Sequence, residues 1–319
     1  IRYRIDGVLR QVRVLHGRYW SAMLVRLKLV AGMNIAESRA PQDGRVSLSI
    51  AGRNVDFRAA VQPTIHGENF VLRVLDAKRG IVDYDKLGLT DDQYHLLNLM
   101  LARPEGIILV TGPTGSGKTT TLYSVLSHMN DESVNIMTLE DPVEYPITRI
   151  RQTSISDGSK INFSDGVRSM MRQDPDIILV GEVRDKDTAE MAFRAAMTGH
   201  QVFSTLHTNS ALRSFQRIKD LGVSPEVMAG NIIGIVAQRL VRRLCPHCRE
   251  AVVVTDGSVE ATLIGEHAIG RTVYRAHQGG CELCGFRSYK GRLAIMELLR
   301  MDSELDELIT RNASLAELT

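Results

Sequence analysis

The chain has 319 residues, 44% of them hydrophobic, with 39 lysines and arginines set against 37 aspartates and glutamates. Its length suggests about two domains with ordinary cores, and its net charge of +2 leaves no field-driven case for nucleic-acid or membrane binding. No apolar run approaches the roughly 18–20 residues that cross a bilayer. No secretory leader is evident, and the absence of Met at position 1 in a pattern already under way leads us to expect a fragment.

The predicted elements follow in chain order. Asp6-Gly7 marks a hairpin turn in the alternating first residues. Residues 21–33 read as a helix with Met23, Leu24, Leu27 and Val30 on one face. A turn at 41–45 precedes strands at 45–50, 54–61 and 68–75, punctuated by Gly52 and Gly67. These form an N-terminal α+β domain, residues 1–76, followed by a linker at 77–90. A helix near 91–102 leads to the apolar, β-branched stretch Gly106–Thr111, which reads as a buried strand.

Next come Gly112, Pro113, Thr114, Gly115, Ser116, Gly117, Lys118, Thr119 and Thr120, which satisfy G-x-x-x-x-G-K-[ST] without mismatch. Residues 121–129 continue as a helix. Strand, glycine turn and helix are what a phosphate-cradling loop requires, because backbone N–H groups and the helix N-terminus converge on phosphate oxygens. Lys118 then reaches the β- and γ-phosphates and Thr119 ligates Mg²⁺.

Asn135–Leu139 is a second core strand, ending in Glu140, Asp141 and Glu144, where α/β sheets bind ligands. Glu144 suits work on a water molecule, with a helix-cap or surface role as the bland alternative. Glu140 is divided between that chemistry and pairing with an arginine. A helix at 164–172 and the strand of Asp176–Glu182 follow, and Glu182 closes an apolar run at which an unpartnered acid would be costly. A helix at 187–197, opened by Asp187 or a polar neighbour, precedes a strand from Gln201 that ends in polar residues including His207. Strands alternating with helices imply a parallel, doubly wound sheet.

All four cysteines fall in two pairs, Cys245/Cys248 and Cys281/Cys284, spaced C-x2-C-x32-C-x2-C. Two such turns complete a tetrahedral S4 site, read as structural Zn²⁺. Disulfides are the alternative, disfavoured for a P-loop protein expected in a reducing compartment. His247 and His277 are read as bystanders near the site, with replacement of a cysteine ligand as the alternative.

The order of motifs has its own meaning. The P-loop precedes Leu139-Glu140-Asp141-Pro142-Val143-Glu144-Tyr145, then Arg172–Asp176 and Val180–Asp185, then Thr198-Gly199-His200 through Asn209, then the cysteine pairs and Gly291–Leu298. This series strongly resembles the secretion ATPase superfamily, in particular the type II secretion and type IV pilus assembly ATPases. The tetracysteine motif fits the assembly branch. The resemblance covers essentially the whole chain, including Pro41–Arg45 and Gly67-Glu68.

The resemblance implies an α/β protein: a PAS-like first domain, a RecA-like P-loop ATPase core at 91–244, a zinc subdomain at 245–290 and a C-terminal helical segment at 291–319. It implies ATP hydrolysis, with Glu144 orienting the attacking water, Glu182 holding the Mg²⁺ shell or polarising that water, and His207 coupling the γ-phosphate region to a neighbouring element. Arg45, Arg58 and Arg73 approach the nucleotide as the first two domains close. Arg168, Arg172 and Arg184 match positions at domain or subunit contacts. It further implies a cytoplasmic homo-hexamer at the inner membrane's cytoplasmic face, held there through a platform protein and docking proteins, with no direct nucleic-acid partner. The family's N-terminal docking domain and its last helices are expected to lie outside this fragment. A DNA-translocating motor is the alternative enzyme, disfavoured by the near-neutral charge and the lack of an aromatic-basic stripe. A non-hydrolysing nucleotide-gated ring is disfavoured by the intact Lys118, Glu144 and Glu182.

Overall fold

The structure, a computed structural model, describes residues 1–75, 80–155 and 161–318. The start of the predicted 77–90 linker, the domain boundary at 76 and the last residue of the 291–319 segment lie outside them. The described chain divides into two compact units, one of residues 1–12 with 240–295 and one of 13–239 with 296–319.

The larger unit begins with α1 (Trp20–Val30), packed on an antiparallel sheet of β3 (Gln42–Ile50), β4 (Arg53–Thr64) and β5 (Gly67–Leu75). Here β1 and β2 denote the hairpin of Arg2–Ile5 and Val8–Gln11 in the other unit. Ala31, Met33, Val46, Ala59 and Val61 form the core between helix and sheet. The register pairs Val46 with Phe57 and Phe57 with Val74, so alternate residues of all three strands share this face.

The predicted helix face needs one correction. Val30 is exposed, and the buried positions are Leu24 and Lys28. Residues 24 and 28 are one turn apart and share a stripe with the partly buried 27, and Val30 lies at its edge, lining an apolar cleft with Leu27, Val46, Phe57 and Leu72. Lys28, only 1% exposed, is tolerated because its ammonium pairs with Glu68 and donates to the Glu37 carbonyl at 2.6 Å.

The centre of the larger unit is a sheet ordered β14-β11-β6-β10-β9-β7-β8. Its members are β6 (Gly106–Thr111), β7 (Ile136–Glu140), β8 (Arg151–Ser154), β9 (Ile177–Val180), β10 (Gln201–Leu206), β11 (Ile232–Leu244) and β14 (Tyr289–Arg300). From β11 to β8 every neighbouring pair is parallel. Both β6 and β10 are buried along their whole length; β6 is a continuous apolar run, as a doubly covered sheet favours, and the buried Gln201, Ser204 and Thr205 of β10 are hydrogen-bonded to backbone carbonyls.

The helices are α2 (Asp91–Leu101), α3 (Lys118–Met129), α4 (Phe163–Met170), α5 (Lys186–Met197), α6 (Arg213–Asp220), the single turn α7 (Pro225–Met228) and α9 (Ser303–Thr310). Thr90 and Gln93 form a capping box that starts α2. α5 is capped by Asp185, the polar neighbour rather than Asp187, through a bond from the Thr188 N–H. The core joins Ile107, Leu109, Leu139, Ile178, Val202 and Ile235 from the sheet to Val167, Met191, Phe193 and Phe215 from its helices. Tyr84, beyond the undescribed stretch, is buried and stacks on His128 of α3 at 4.3 Å.

In the smaller unit, β12 (Glu250–Val253) pairs antiparallel with β13 (Thr272–Arg275), and α8 (Val259–Ile264) covers a small core of Val254, Ala261 and Ala268. Arg249 lies over the Tyr274 ring at 3.8 Å and Arg242 over Tyr289 at 4.0 Å. The turn residue Asp6 accepts from the Gly291 N–H at 3.2 Å.

Replacing Lys28 with Met strands the Glu68 carboxylate in the first sheet's core and should cost about 3–5 kcal/mol. The double change Lys28→Met with Glu68→Leu should recover most of that loss. Denaturant unfolding of the unchanged protein and the two variants checks both outcomes.

Candidate functional site

The phosphate loop leaves the carboxyl end of β6 through Gly112, at φ +147°. A Cβ there would lie 2.3 Å from the Gln238 carbonyl oxygen and 2.7 Å from Ser116 Oγ. Gly117, at φ +94°, turns the chain into α3 in a conformation that glycine adopts without penalty. Behind the loop stands Gln238 of β11. Its Nε2 donates to the Ser116 carbonyl at 2.8 Å, and its Oε1 accepts from Thr121 Oγ1 at 2.7 Å. Lys118 Nζ bends back to donate to the Gly112 carbonyl at 2.9 Å. Burial holds the Lys118 ammonium below the ordinary lysine value, against the opposing charge of Glu182. Ser116 Oγ is buried and makes no hydrogen bond among the described residues. An orphaned hydroxyl at a glycine-rich helix start fits phosphate oxygens.

Three parallel strands deliver polar side chains to the same edge as the loop. β9 leads to Glu182, whose carboxylate pairs with Arg184 Nε at 2.9 Å and His207 Nε2 at 3.0 Å. His207 follows β10 directly and is 44% exposed. Arg184 also reaches Asp141 at 3.2 Å. β7 ends in Glu140, which is buried: its carboxylate accepts from Tyr123, from Thr138 Oγ1 at 2.6 Å and from Gln152 Nε2 at 3.3 Å. Burial pushes the Glu140 carboxyl above the ordinary glutamate range, outweighing those bonds. The open question over Glu140 therefore resolves toward an internal polar network; it pairs with no arginine among the described residues.

Glu144 sits beyond a cis Asp141–Pro142 peptide. Its Oε2 is buried, makes no hydrogen bond among the described residues, and lies 3.7 Å from Arg58. Arg58 is not isolated. The strand register sets Arg45 opposite Arg58 and Arg58 opposite Arg73, so the three guanidinium-bearing residues form one row across the sheet on the face away from α1. Like charges directly opposite one another are destabilising, so this row favours an anion beside it. Arg45 and Arg73 are exposed and Arg58 half-buried. Thr119 is exposed at the start of α3. Arg168 pairs with Asp165 at 3.1 Å, and Arg172 donates to the Arg168 carbonyl at 2.9 Å.

In the smaller unit the four thiols are free and lie within 4.8 Å of one another. Neighbouring sulfurs are 3.9 Å (Cys245–Cys281), 4.0 Å (Cys248–Cys284) and 3.9 Å (Cys281–Cys284) apart. A tetrahedron with arms of about 2.3 Å has edges of about 3.8 Å, so the cluster has the dimensions of a thiolate metal site. The N–H groups of Cys281, Arg287 and Ser288 point at Cys284 Sγ over 3.2–3.4 Å and hold its thiol down to about 6. His277 is engaged by Glu250 at 2.7 Å, and neither it nor His247 belongs to the cluster.

The arrangement can be compared with known proteins. Residues 1–319 match a family described as type II/IV secretion system protein. The chain belongs to this family. It is 46% identical over 314 residues to the type II secretion system protein E of Dickeya dadantii, a match covering 98% of this chain and 62% of that protein. Identity to the type II secretion system ATPase E of Vibrio cholerae is 44% over 313 residues, with 98% and 62% covered. The chain thus spans about three fifths of the length of the curated relatives it matches. Among solved structures it is similar to the pilus retraction motor PilT with bound ADP, at a TM-score of 0.64 and 28% identity, covering 99% of this chain and 80% of that one. The Yersinia pseudotuberculosis ATPase DotB has the same fold, at a TM-score of 0.69 and 22% identity, with 99% and 78% covered. The expected α/β class with a central parallel sheet is therefore borne out. Among the described residues, no helix is long and apolar enough to cross a membrane.

Sequence reasoning missed Gln238, which lies far from the loop it braces, in a strand that was not anticipated. It missed Tyr123, inside the apolar pattern of its helix, and Gln152, inside a polar run, for which one sequence offers no signal.

Two outcomes follow from this geometry. A carboxyl whose folded value is raised stabilises the fold most below its unfolded value, about 4.3, and loses that contribution as pH rises through the folded value. Glu140→Gln does not titrate, so its stability relative to the unchanged protein should increase between pH 5 and pH 8, read by denaturant unfolding at each pH. Cys284→Ser should abolish retention of about one equivalent of tightly held divalent metal per chain, read by elemental analysis of reduced protein.

Proposed function

We propose that this chain is the ATP-hydrolysing part of a motor that powers type II protein secretion. The observation that carries this reading is the convergence, on one edge of a parallel sheet, of Lys118 at a phosphate loop, Glu182 tied to His207, and Glu144 facing Arg58. Hydrolysis of a phosphoanhydride needs charge neutralisation and an aligned water more than covalent help. Lys118 and the backbone N–H groups of 112–120 would hold the β- and γ-phosphates. Glu144, whose Oε2 is held by no hydrogen bond, is the acceptor available to orient the attacking water. Thr119 and Glu182 are the residues that would hold Mg²⁺, which when bound neutralises phosphate charge. The ADP bound to the related PilT supports a nucleotide at this edge.

The Arg45–Arg58–Arg73 row would complete the site from the first sheet as 13–75 closes on the core, with a hinge within 77–90. Conversion between open and closed arrangements would transmit the work. The 1–76, 91–244, 245–290 and 291–319 divisions serve in this reading as first domain, motor core, Zn²⁺ subdomain and C-terminal segment. The thiolate cluster would hold Zn²⁺ in a closed, structural site. The motor would act as a homo-hexamer at the cytoplasmic face of the inner membrane, where platform and docking proteins receive the motion. Family membership and the type II secretion E relatives support this placement.

Glu144→Gln and Glu182→Gln, each in the full-length protein, should lower steady-state phosphate release by about 100-fold or more, the usual contribution of a positioned acid or base. Turnover at the unchanged rate in both would overturn the reading.

A further inference from the structure

Tyr123 is fully buried on α3, the helix that Lys118 begins. Its hydroxyl lies between two acids. It donates to Glu140 Oε2 and accepts the backbone N–H of Glu144 at 3.2 Å. A phenol has one proton, so with the Glu144 N–H donating to the oxygen, that proton belongs to Glu140. Glu140 in turn is fixed by Thr138 and Gln152. Gln152 ties down the same loop from its other side: it donates to the Tyr145 carbonyl at 3.1 Å and accepts from the Ile147 N–H at 2.6 Å. The Tyr145 ring stands edge-on to Tyr123, with centroids 6.3 Å apart, and a Cβ at Gly80 would fall 2.2 Å from it.

We propose that Tyr123 is a positioning residue for Glu144, its hydroxyl linking the acid's backbone to the helix that carries Lys118. The inference rests on the hydrolysis reading above. Lys118 and Glu144 arise from different elements, and the distance between phosphate and attacking water depends on holding those elements in register. A phenylalanine would fill the same core volume. The hydroxyl is costly to bury unless its bonds are made; two of them go to the segment that presents Glu144, and a third, longer contact comes from Gln152 Nε2 at 3.5 Å. Oε2 of that carboxylate makes no hydrogen bond among the described residues and lies 3.7 Å from Arg58, so the backbone carries much of its placement.

The test is Tyr123→Phe in the full-length protein. The rate at saturating ATP should fall about 10- to 100-fold, the effect of a displacement on the order of 1 Å, while ADP affinity stays unchanged because the loop and Lys118 are untouched. In a Glu144→Gln background the same change should cost little further, because it acts through that carboxylate. Full additivity of the two losses would overturn the proposal, as would unchanged turnover in Tyr123→Phe or an equal weakening of ADP binding. If Tyr123→Phe does not fold, Glu140 carries the test. Glu140→Gln keeps an acceptor for the hydroxyl and should retain most turnover, whereas Glu140→Leu should lose it; equal rates in these two would overturn the proposal. Full activity of Glu144→Gln alone would overturn this proposal, and full activity of both Glu144→Gln and Glu182→Gln would remove the hydrolysis reading itself.

Discussion

A Cβ at Gly112 would lie 2.3 Å from the carbonyl oxygen of Gln238. That close approach governs how the phosphate loop can leave its strand. β6 lies between β11 and β10 and is buried throughout, so its end has no freedom to move aside. The loop must turn where β11 allows, and Gln238 then holds it there through Ser116 and Thr121. Because β7, β9 and β10 run parallel to β6, their carboxyl ends reach the same edge. Glu182, Glu144 and His207 come to the sheet edge from which the Lys118 loop leaves through shared strand direction rather than nearness in sequence.

The polar network around Glu140 adds a second layer. It contains Tyr123 from the phosphate-loop helix, Thr138 from β7 and Gln152 from β8. Such a cluster is expensive to bury unless every member is satisfied, and once satisfied it specifies one arrangement. Glu140 thus acts as a buried anchor, while Glu182 and Glu144 keep the more exposed positions suited to chemistry.

Much of this was legible in the chain before any coordinates. The loop from Gly112 to Thr120 is a local signal, since three glycines, a lysine and a threonine must be close in sequence to shape one turn. The cysteine pairs are local in the same way. β6 and β9 showed themselves because strands covered on both faces read as unbroken apolar runs, and β10 through a short strand pattern ending in polar residues. β11 escaped, although it is longer, because its apolar first half continues into Arg239, Arg242 and Arg243. β8 escaped because its Arg151-Gln152-Thr153-Ser154 run is polar. The apolar pattern of 21–33 left Lys28 out of the buried face because composition cannot foresee that Glu68 arrives from β5 to pair with a lysine. The alignment of Arg45, Arg58 and Arg73 is invisible without register, which depends on turns and faces rather than on any one strand.

That register has a mechanical meaning. It pairs like charge with like across three neighbouring strands, so each guanidinium raises the cost of its neighbours on that face. The Glu144 carboxylate offsets part of that cost at Arg58, and any further anion beside the row would offset more and tighten the pairing of the strands that carry it.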